Sequence, residues 1–453
     1  MKRMQWARFL STQRFEIKDG EVVPTKTKSS GKGKDALRTD FHIDYDRVVF
    51  CGSFRRLGRK TQVHAFARED LIHNRLTHSV EVASVGRSIG NEVGLELYAR
   101  GLLPRPFTPA DVGTTVQVAC LAHDMGNPPF GHVGEEAIRE FFRQPENAYL
   151  LDGLSAEEIN DIQTYEGNAH SLRIAVNLEM YRNSGGMRLT AASIGTLMKY
   201  PWTSSEPQNG RRKFNIYQAE LPFIKKVAEE LGLPEIGENH WVRHPLSYLM
   251  EAADDICYAL LDLEDAVGMG ILDVVDFNKI FADVIKNTNL DNLSDRQRIA
   301  KIRGVAIGLV TDAVVKSFIE NYDGLMSGDF KDKYNDLIEA SGNTIAEIVP
   351  AAKELAFNKV FRHKSKVMTE LAAFPCLQSI LSVLTPAVRA KIMKEEMSVH
   401  HKLAIELLRA DNPIEKNDSL YSAYMKILDF VGGMTDNAAH DMAKGLSGIS
   451  MVK

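Results

Sequence analysis

An all-α fold is predicted by three features of the chain. From position 40 onward the apolar residues recur mostly at helical spacing, strand signals are weak, and nothing alternates in the βαβ manner. Taken in order, residues 1–38 read as an N-terminal segment. Its stretch 18–38 (KDGEVVPTKTKSSGKGKDALR) mixes Pro, Gly, Ser and Lys without periodicity, as a mobile basic loop or a plain solvated linker would. Residues 76–99 place Leu76, Val82, Val85, Ile89, Val93 and Leu97 on one stripe. Residues 110–124 read as a largely buried helix that stops before Gly126 and Pro128. Residues 245–267 open at a proline, which suits a first helical turn, and carry an apolar face from Leu246 to Val267. Further helices are expected at 296–323, 331–340, 351–361, 366–385, 387–408 and 418–431, and at most a small β-hairpin near 211–219. Soft boundaries at 201–213 and 341–350 suggest a core of 39–345 with a C-terminal helical region, 346–453, packed on it.

The composition, 44% hydrophobic and 25% charged over 453 residues, is that of an ordinary globular protein, against disorder or collagen. The length prior allows about three domains. No apolar run approaches the roughly 18 residues needed to span a bilayer, so no membrane partner is expected. The first twenty residues are charged throughout with no apolar stretch, against secretion. Cys51, Cys120, Cys257 and Cys376 are scattered with no CxxC, which fits a reducing cytoplasm and no cysteine zinc site. The net charge of −5 argues against a general nucleic-acid coat.

The chemistry-bearing residues gather in a few stretches. His123-Asp124 ends an apolar helix and runs into MGNPPFGHVGEE (125–136), a Gly/Pro-rich turn that adds His132 and Glu135. His78 opens another amphipathic helix. Asp254, Tyr258 and Asp262, spaced by four, share a helical face bordering an apolar stripe. A buried carboxylate is costly unless paired or metal-bound. Two His and two Asp from three helices would make an N₂O₂ site for a divalent cation. Singly, each residue has a plainer reading: a cap or satisfied core group for His78, a solvated face for Asp254-Asp255. Arg55, Arg56, Arg59, Lys60, Arg75, Lys199 and Lys213 lie near these motifs, several beside large apolar residues. Half-buried cations next to a metal and a histidine suit phosphate chemistry, although a solvated basic face is the commoner explanation of such residues.

These motifs together resemble the HD-domain deoxynucleoside triphosphate triphosphohydrolases. The resemblance runs through SFRRLGRKTQV (53–63), NRLTHSVEVA (74–83), HDMGNPPFGHVGEEAI (123–138), EGNAHSLRI (166–174), MKYPW (198–202), EAADDICYALLDLEDA (251–266) and DFVGGMTDNAA (429–439), over nearly the whole chain. It implies an HD-type helical core. His78, His123, Asp124 and Asp254 would be the metal ligands, with Mg or Mn expected and Ni, Fe or Zn compatible. His132 and Glu135 would be the catalytic pair. Gln62, Tyr258 and Asp262 would read the deoxyribose, and Arg75, Asn168, Lys199, Tyr200 and Lys213 would contact the triphosphate. His170 departs from the glutamine that relatives often carry and would add a titratable group near the phosphates. Lys353, Arg362 and His363 are candidates for a further distal cation. The implied reaction is water attack on the α-phosphorus of dGTP and other dNTPs, giving deoxynucleoside and inorganic triphosphate. Another HD-type nucleotide phosphohydrolase and a non-catalytic, metal-stabilised nucleotide sensor are the alternatives. The resemblance also implies a cytoplasmic homo-oligomer. It leaves room for a dNTP allosteric effector and a single-stranded DNA effector.

Overall fold

Each long helix near the middle of the chain starts where a side chain can satisfy its first free amides. In the computed structural model, which describes residues 4–25, 38–63, 72–179, 186–205, 213–410 and 412–449, Asn74 caps helix Arg75–Ala99 by accepting from Leu76 N and Thr77 N, both at 3.0 Å. Thr108 and Asp111 form a capping box for helix Pro109–Ala122, and Pro109 takes its first position. His244 caps helix Pro245–Gly268, again with proline first.

The first two of these helices pack unusually closely, for a reason written in the sequence. Gly86, Gly90 and Gly94 recur every fourth residue on one of them. A Cβ at Gly90 would lie 2.8 Å from Gly113 Cα, and one at Gly94 would lie 2.8 Å from Pro109 Cα. The glycine stripe brings the backbone carrying His78 against the helix that ends in His123.

The buried side chains form two clusters. The first gathers the N-terminal segment, the three helices above, helix Leu221–Leu231, helix Asp295–Glu320 and residues 346–360. The second gathers helix Gly131–Arg143 with helices Lys364–Ile392, Val399–Leu408, Leu420–Gly432 and Asp436–Leu446. The Gly/Pro turn after Asp124 crosses from the first cluster to the second. The fold is all-α, with two short antiparallel pairs among the described residues.

Three expectations are corrected. The hairpin lies not at 211–219 but at Phe15–Lys18 and Glu21–Pro24, turning through Asp19 and Gly20 with φ of 51° and 83°. The described part of 18–38 thus includes a strand, and the basic stretch 26–37 lies outside the described residues. Near 211–219 only a single bridge, Thr203 to Ile216, is present among the described residues, and a second small pair joins Glu235–Gly237 to His240–Trp241. The helix break placed at 386 does not occur, because Lys364–Ile392 continues through Pro375 and Pro386. Uninterrupted, its stretch Lys366–Ile392 is long and apolar enough to cross a membrane by length and composition, contrary to the sequence reading. Half of its most apolar window is buried, with Leu377, Ile380, Leu381 and Leu384 in the second cluster, which is how a core helix behaves. All four cysteines are buried and unpaired.

Candidate active site

Helices Arg75–Ala99 and Pro245–Gly268 and the end of helix Pro109–Ala122 aim four side chains at one point. Donor atoms of His78, His123 and Asp124 all lie within 4.8 Å of one another. Asp254 joins them: its Oδ1 is 3.2 Å from His78 Nε2 and 3.5 Å from His123 Nε2. His123 Nδ1 sits 2.6 Å from the Cys120 carbonyl. A carbonyl only accepts, so Nδ1 carries a proton and Nε2 is the nitrogen turned toward the cluster, free to bind a cation once its own proton is displaced. Burial would lower the His123 pKa, yet Asp124 and Asp254 outweigh it and push it up to about 9. Burial would raise Asp254, but His123, His78 and Lys199 hold its carboxylate well below the usual range. Two imidazole nitrogens and two ionised carboxylates, in a field this negative, fit a divalent cation.

The turn after Asp124 is held from several sides. Arg75 Nη1 donates to Asp124 Oδ2 at 2.8 Å, and Asn127 Nδ2 donates to Asp124 Oδ1 at 2.5 Å. Burial pushes Asp124 up, but Arg75, His123 and His78 bring it below its ordinary value. Phe130 and Gly131 are both left-handed, with φ of 65° and 61°. The left-handed φ favours glycine at 131, and a Cβ there would come within 2.5 Å of Arg75 Nη2, so the tip of that side chain would have to shift from its place beside Asp124.

Helix Gly131–Arg143 starts from that turn and presents His132, whose side chain is 70% exposed. Its Nδ1 lies 3.1 Å from Oε2 of the buried Glu135. Glu135 also accepts from Gly167 N at 2.7 Å. Burial would raise this carboxyl, but Lys213, the hydrogen bond and charge of His132, and Arg139 bring it down to about 2. The ionised acceptor fixes the proton of His132 on Nδ1 and leaves Nε2 for exchange. Lys213 Nζ lies 3.3 Å from Glu166 Oε1, itself bonded by Asn168 Nδ2 at 2.6 Å.

A cavity of about 380 Å³ opens over both groups. It brings together Gln62, Arg75, His78, His123, Asp124, His132, Asn168, Lys199, Tyr200, Lys213, Asp254 and Tyr258. Glu135 stands behind His132 rather than on the wall, and Asp262 is buried one turn beyond Tyr258 and does not line it. Of the distal cations only Lys353 reaches the wall, where its Nζ is 2.7 Å from Asp255 Oδ1, while Arg362 stacks on Phe357. His170 is not near the phosphate side. It is fully buried against Tyr165 and Asp429, and burial lowers its pKa to about 4. Asn127 and Glu370 are wall residues that sequence reasoning missed, and Asp255, weighed there only as the neighbour of Asp254, also lines the cavity. Asn127 had a signal, standing three residues after Asp124 in a Gly/Pro turn. Glu370 had none, since it arrives from a distant helix.

The model of the HD domain matches residues 75–188, the span from Arg75 across the His-Asp pair and the turn. A deoxyguanosinetriphosphate triphosphohydrolase-like protein of Pseudomonas aeruginosa is 41% identical over 423 residues, covering 91% of this chain and 94% of that protein. A protein of the same description from Synechocystis sp. is 34% identical, covering 99% of this chain and all of that protein. A deoxyguanosinetriphosphate triphosphohydrolase of Enterobacter sp. is 27% identical over 94% of this chain and 97% of that protein. The site geometry and these likenesses agree, and the chain belongs to the HD-domain family of deoxyguanosinetriphosphate triphosphohydrolase-like proteins.

Proposed function

We propose that this hydrolase takes deoxynucleoside triphosphates, dGTP among them, and releases deoxynucleoside and inorganic triphosphate by water attack at the α-phosphorus. The observation that supports this most is the opening of the His/Asp cluster, His132 and the cations Lys199 and Lys213 into one cavity. His78, His123, Asp124 and Asp254 would hold a divalent cation, with Mg or Mn as the first choice. When bound, such a cation supplies Lewis acidity toward a phosphoryl oxygen and acidifies water. Lys199, Lys213 and Arg75 bind and neutralise the triphosphate, while Asn168 and Tyr200 orient it. His132 moves a proton at Nε2, and Glu135 holds the ring and stabilises its charged form. Gln62 Oε1 is buried without a hydrogen-bond partner among the described residues and suits a sugar hydroxyl, with Tyr258 as the wall beside C2′. Asp262, whose buried Oδ2 also lacks a partner among the described residues, backs that wall.

The test is product analysis with all four dNTPs, singly and mixed, in Mg or Mn. Inorganic triphosphate with deoxynucleoside is the expected outcome. Stepwise release of orthophosphate would point instead to another nucleotide phosphohydrolase, and tight dGTP binding without turnover to a sensor. Activity confined to mixtures would reveal a dNTP effector.

A further inference from the structure

We infer that Asp436 is a positioning residue that clasps both sides of the catalytic turn through backbone amides; this rests on the reading of the site given above. Asp436 opens helix Asp436–Leu446, is 3% exposed, and lies in the DFVGGMTDNAA stretch to which no role has been attached. Its Oδ1 accepts from Phe130 N and its Oδ2 from Thr61 N, both at 2.9 Å. Each amide stands just before a side chain that the proposed reaction uses: Gln62 follows Thr61, and His132 lies two residues beyond Phe130. Buried Lys60 adds a second tie, because its Nζ donates at 2.6 Å to the carbonyls of both Asn127 and Gly432. Segments 60–62, 127–131 and 432–436 are therefore fastened to one another at several points.

The geometry asks for such a clasp. The turn crosses between the two hydrophobic clusters, with Leu57 and Val63 in the first and helix Asp436–Leu446 anchored in the second through Ala439 and Ala443. Two consecutive left-handed residues, one of them Phe130, persist only where surrounding contacts over-determine them. The bond from Phe130 N to a buried carboxylate is such a contact. Both groups that Asp436 meets are donors, so two acceptor oxygens are needed. Asparagine offers one acceptor and would turn an N–H toward the other amide.

The test compares wild type, Asp436→Asn and Thr435→Ala. Thr435 caps the same helix, its hydroxyl accepting from Ala438 N at 3.3 Å, without touching the turn. With dGTP and Mn, Asp436→Asn is expected to lose roughly 10- to 100-fold in kcat with KM little changed and metal content intact. Thr435→Ala should lower Tm while keeping the wild-type kcat. Hydrogen exchange should quicken in peptides 57–63 and 125–134 of Asp436→Asn and not in Thr435→Ala. Equal kcat in Asp436→Asn and wild type, equal losses in the two variants, or unchanged exchange in those peptides would overturn the inference. Should Asp436→Asn not fold, Asp436→Glu carries the same test, because its oxygens move by one methylene. Wild-type kcat and exchange in that variant would likewise overturn it. A wild type that releases no triphosphate defeats the proposed function alone, because the exchange comparison still decides the clasp.

Discussion

Replacing Glu135 by Gln keeps the shape of the side chain and removes its charge where cations converge. His132 Nδ1 lies at 3.1 Å, Arg139 Nη2 at 3.6 Å and Lys213 Nζ at 4.0 Å from Oε2. The carboxyl moves from 4.5 in the unfolded chain to about 2 in the fold, burial notwithstanding. At 1.36 kcal/mol per unit that is about 3 kcal/mol of stability at neutral pH. The neighbour Glu166, pushed up by burial and by Glu135, ionises more readily once Glu135 is neutral and recovers part of the loss. The net cost expected is about 1–3 kcal/mol. Because the folded pKa is depressed, the contribution is complete above about 4.5 and disappears as pH falls through about 2. Gly167 N–H and His132 Nδ1–H both donate to this group, and a glutamine oxygen can accept well from only one of them. Loss of the imidazole's orientation should lower kcat by roughly 10²- to 10⁴-fold. Urea unfolding of both proteins across that acid range, with triphosphate release at neutral pH, measures both effects. Equal unfolding free energies at neutral pH, or a gap that does not narrow on acidification, would refute the electrostatic reasoning. Undiminished turnover would refute the role of Glu135.

Asp254→Ala should purify without the divalent cation, whereas Asp255→Ala, whose carboxylate pairs with Lys353 rather than with the histidines, should retain it; elemental mass spectrometry decides, and the reverse result would move the fourth ligand. His73 lies 2.7 Å from Asp265 and 3.1 Å from Glu81, and although burial opposes its charge these pairs push it up to about 10. His73→Gln should therefore cost stability on the order of 2–4 kcal/mol below about pH 6.5, a deficit that fades as pH rises through about 10 in urea titrations. Gly131→Ala meets both a φ of 61° and Arg75 Nη2 at 2.5 Å. A loss of about 1 kcal/mol or more in Tm-derived stability is expected, with weakened metal retention as Arg75 leaves Asp124.

The fold was legible where one helix face meets the core. The stripe from Leu76 to Leu97 and the proline start at 245 were enough for helices Arg75–Ala99 and Pro245–Gly268. Proline misled at 386, since a long core helix tolerates a residue whose missing amide bond is offset by packing of Leu384 and Val388. The hairpin at 15–24 hid behind a composition typical of loops, because its four-residue strands are too short for alternation to register. In the site, adjacency made His123-Asp124 and the His132 turn readable. The contacts of Asp436, Lys353 and Glu370 were not, since each joins segments far apart in the chain and depends on how helices pack rather than on spacing. His170 shows the converse: a titratable residue inside a site motif faces the core when its helix turns it inward.

The acidic excess of the chain, −5 overall, does not oppose a polyanionic substrate, because the carboxylates at the cavity come with their own cations. Asp124 is paired by Arg75, Asp255 by Lys353, and Glu135 and Glu166 by Lys213 and Arg139. Lys199 is 3.5 Å from Glu251 and 4.0 Å from Asp254, so its pairs are loose, while Lys213 is hydrogen-bonded to Glu166 at 3.3 Å and lies 4.0 Å from Glu135. Burial opposes both charges, but Tyr200 and Glu251 around Lys199, and Glu135 and Glu166 around Lys213, raise their pKa values and keep them protonated. A loosely paired, already desolvated ammonium can turn toward a phosphate without a fresh desolvation penalty. Net charge describes the surface as a whole, whereas what a triphosphate meets is set within a few ångströms, where charge is screened little and the cations stand on the cavity wall.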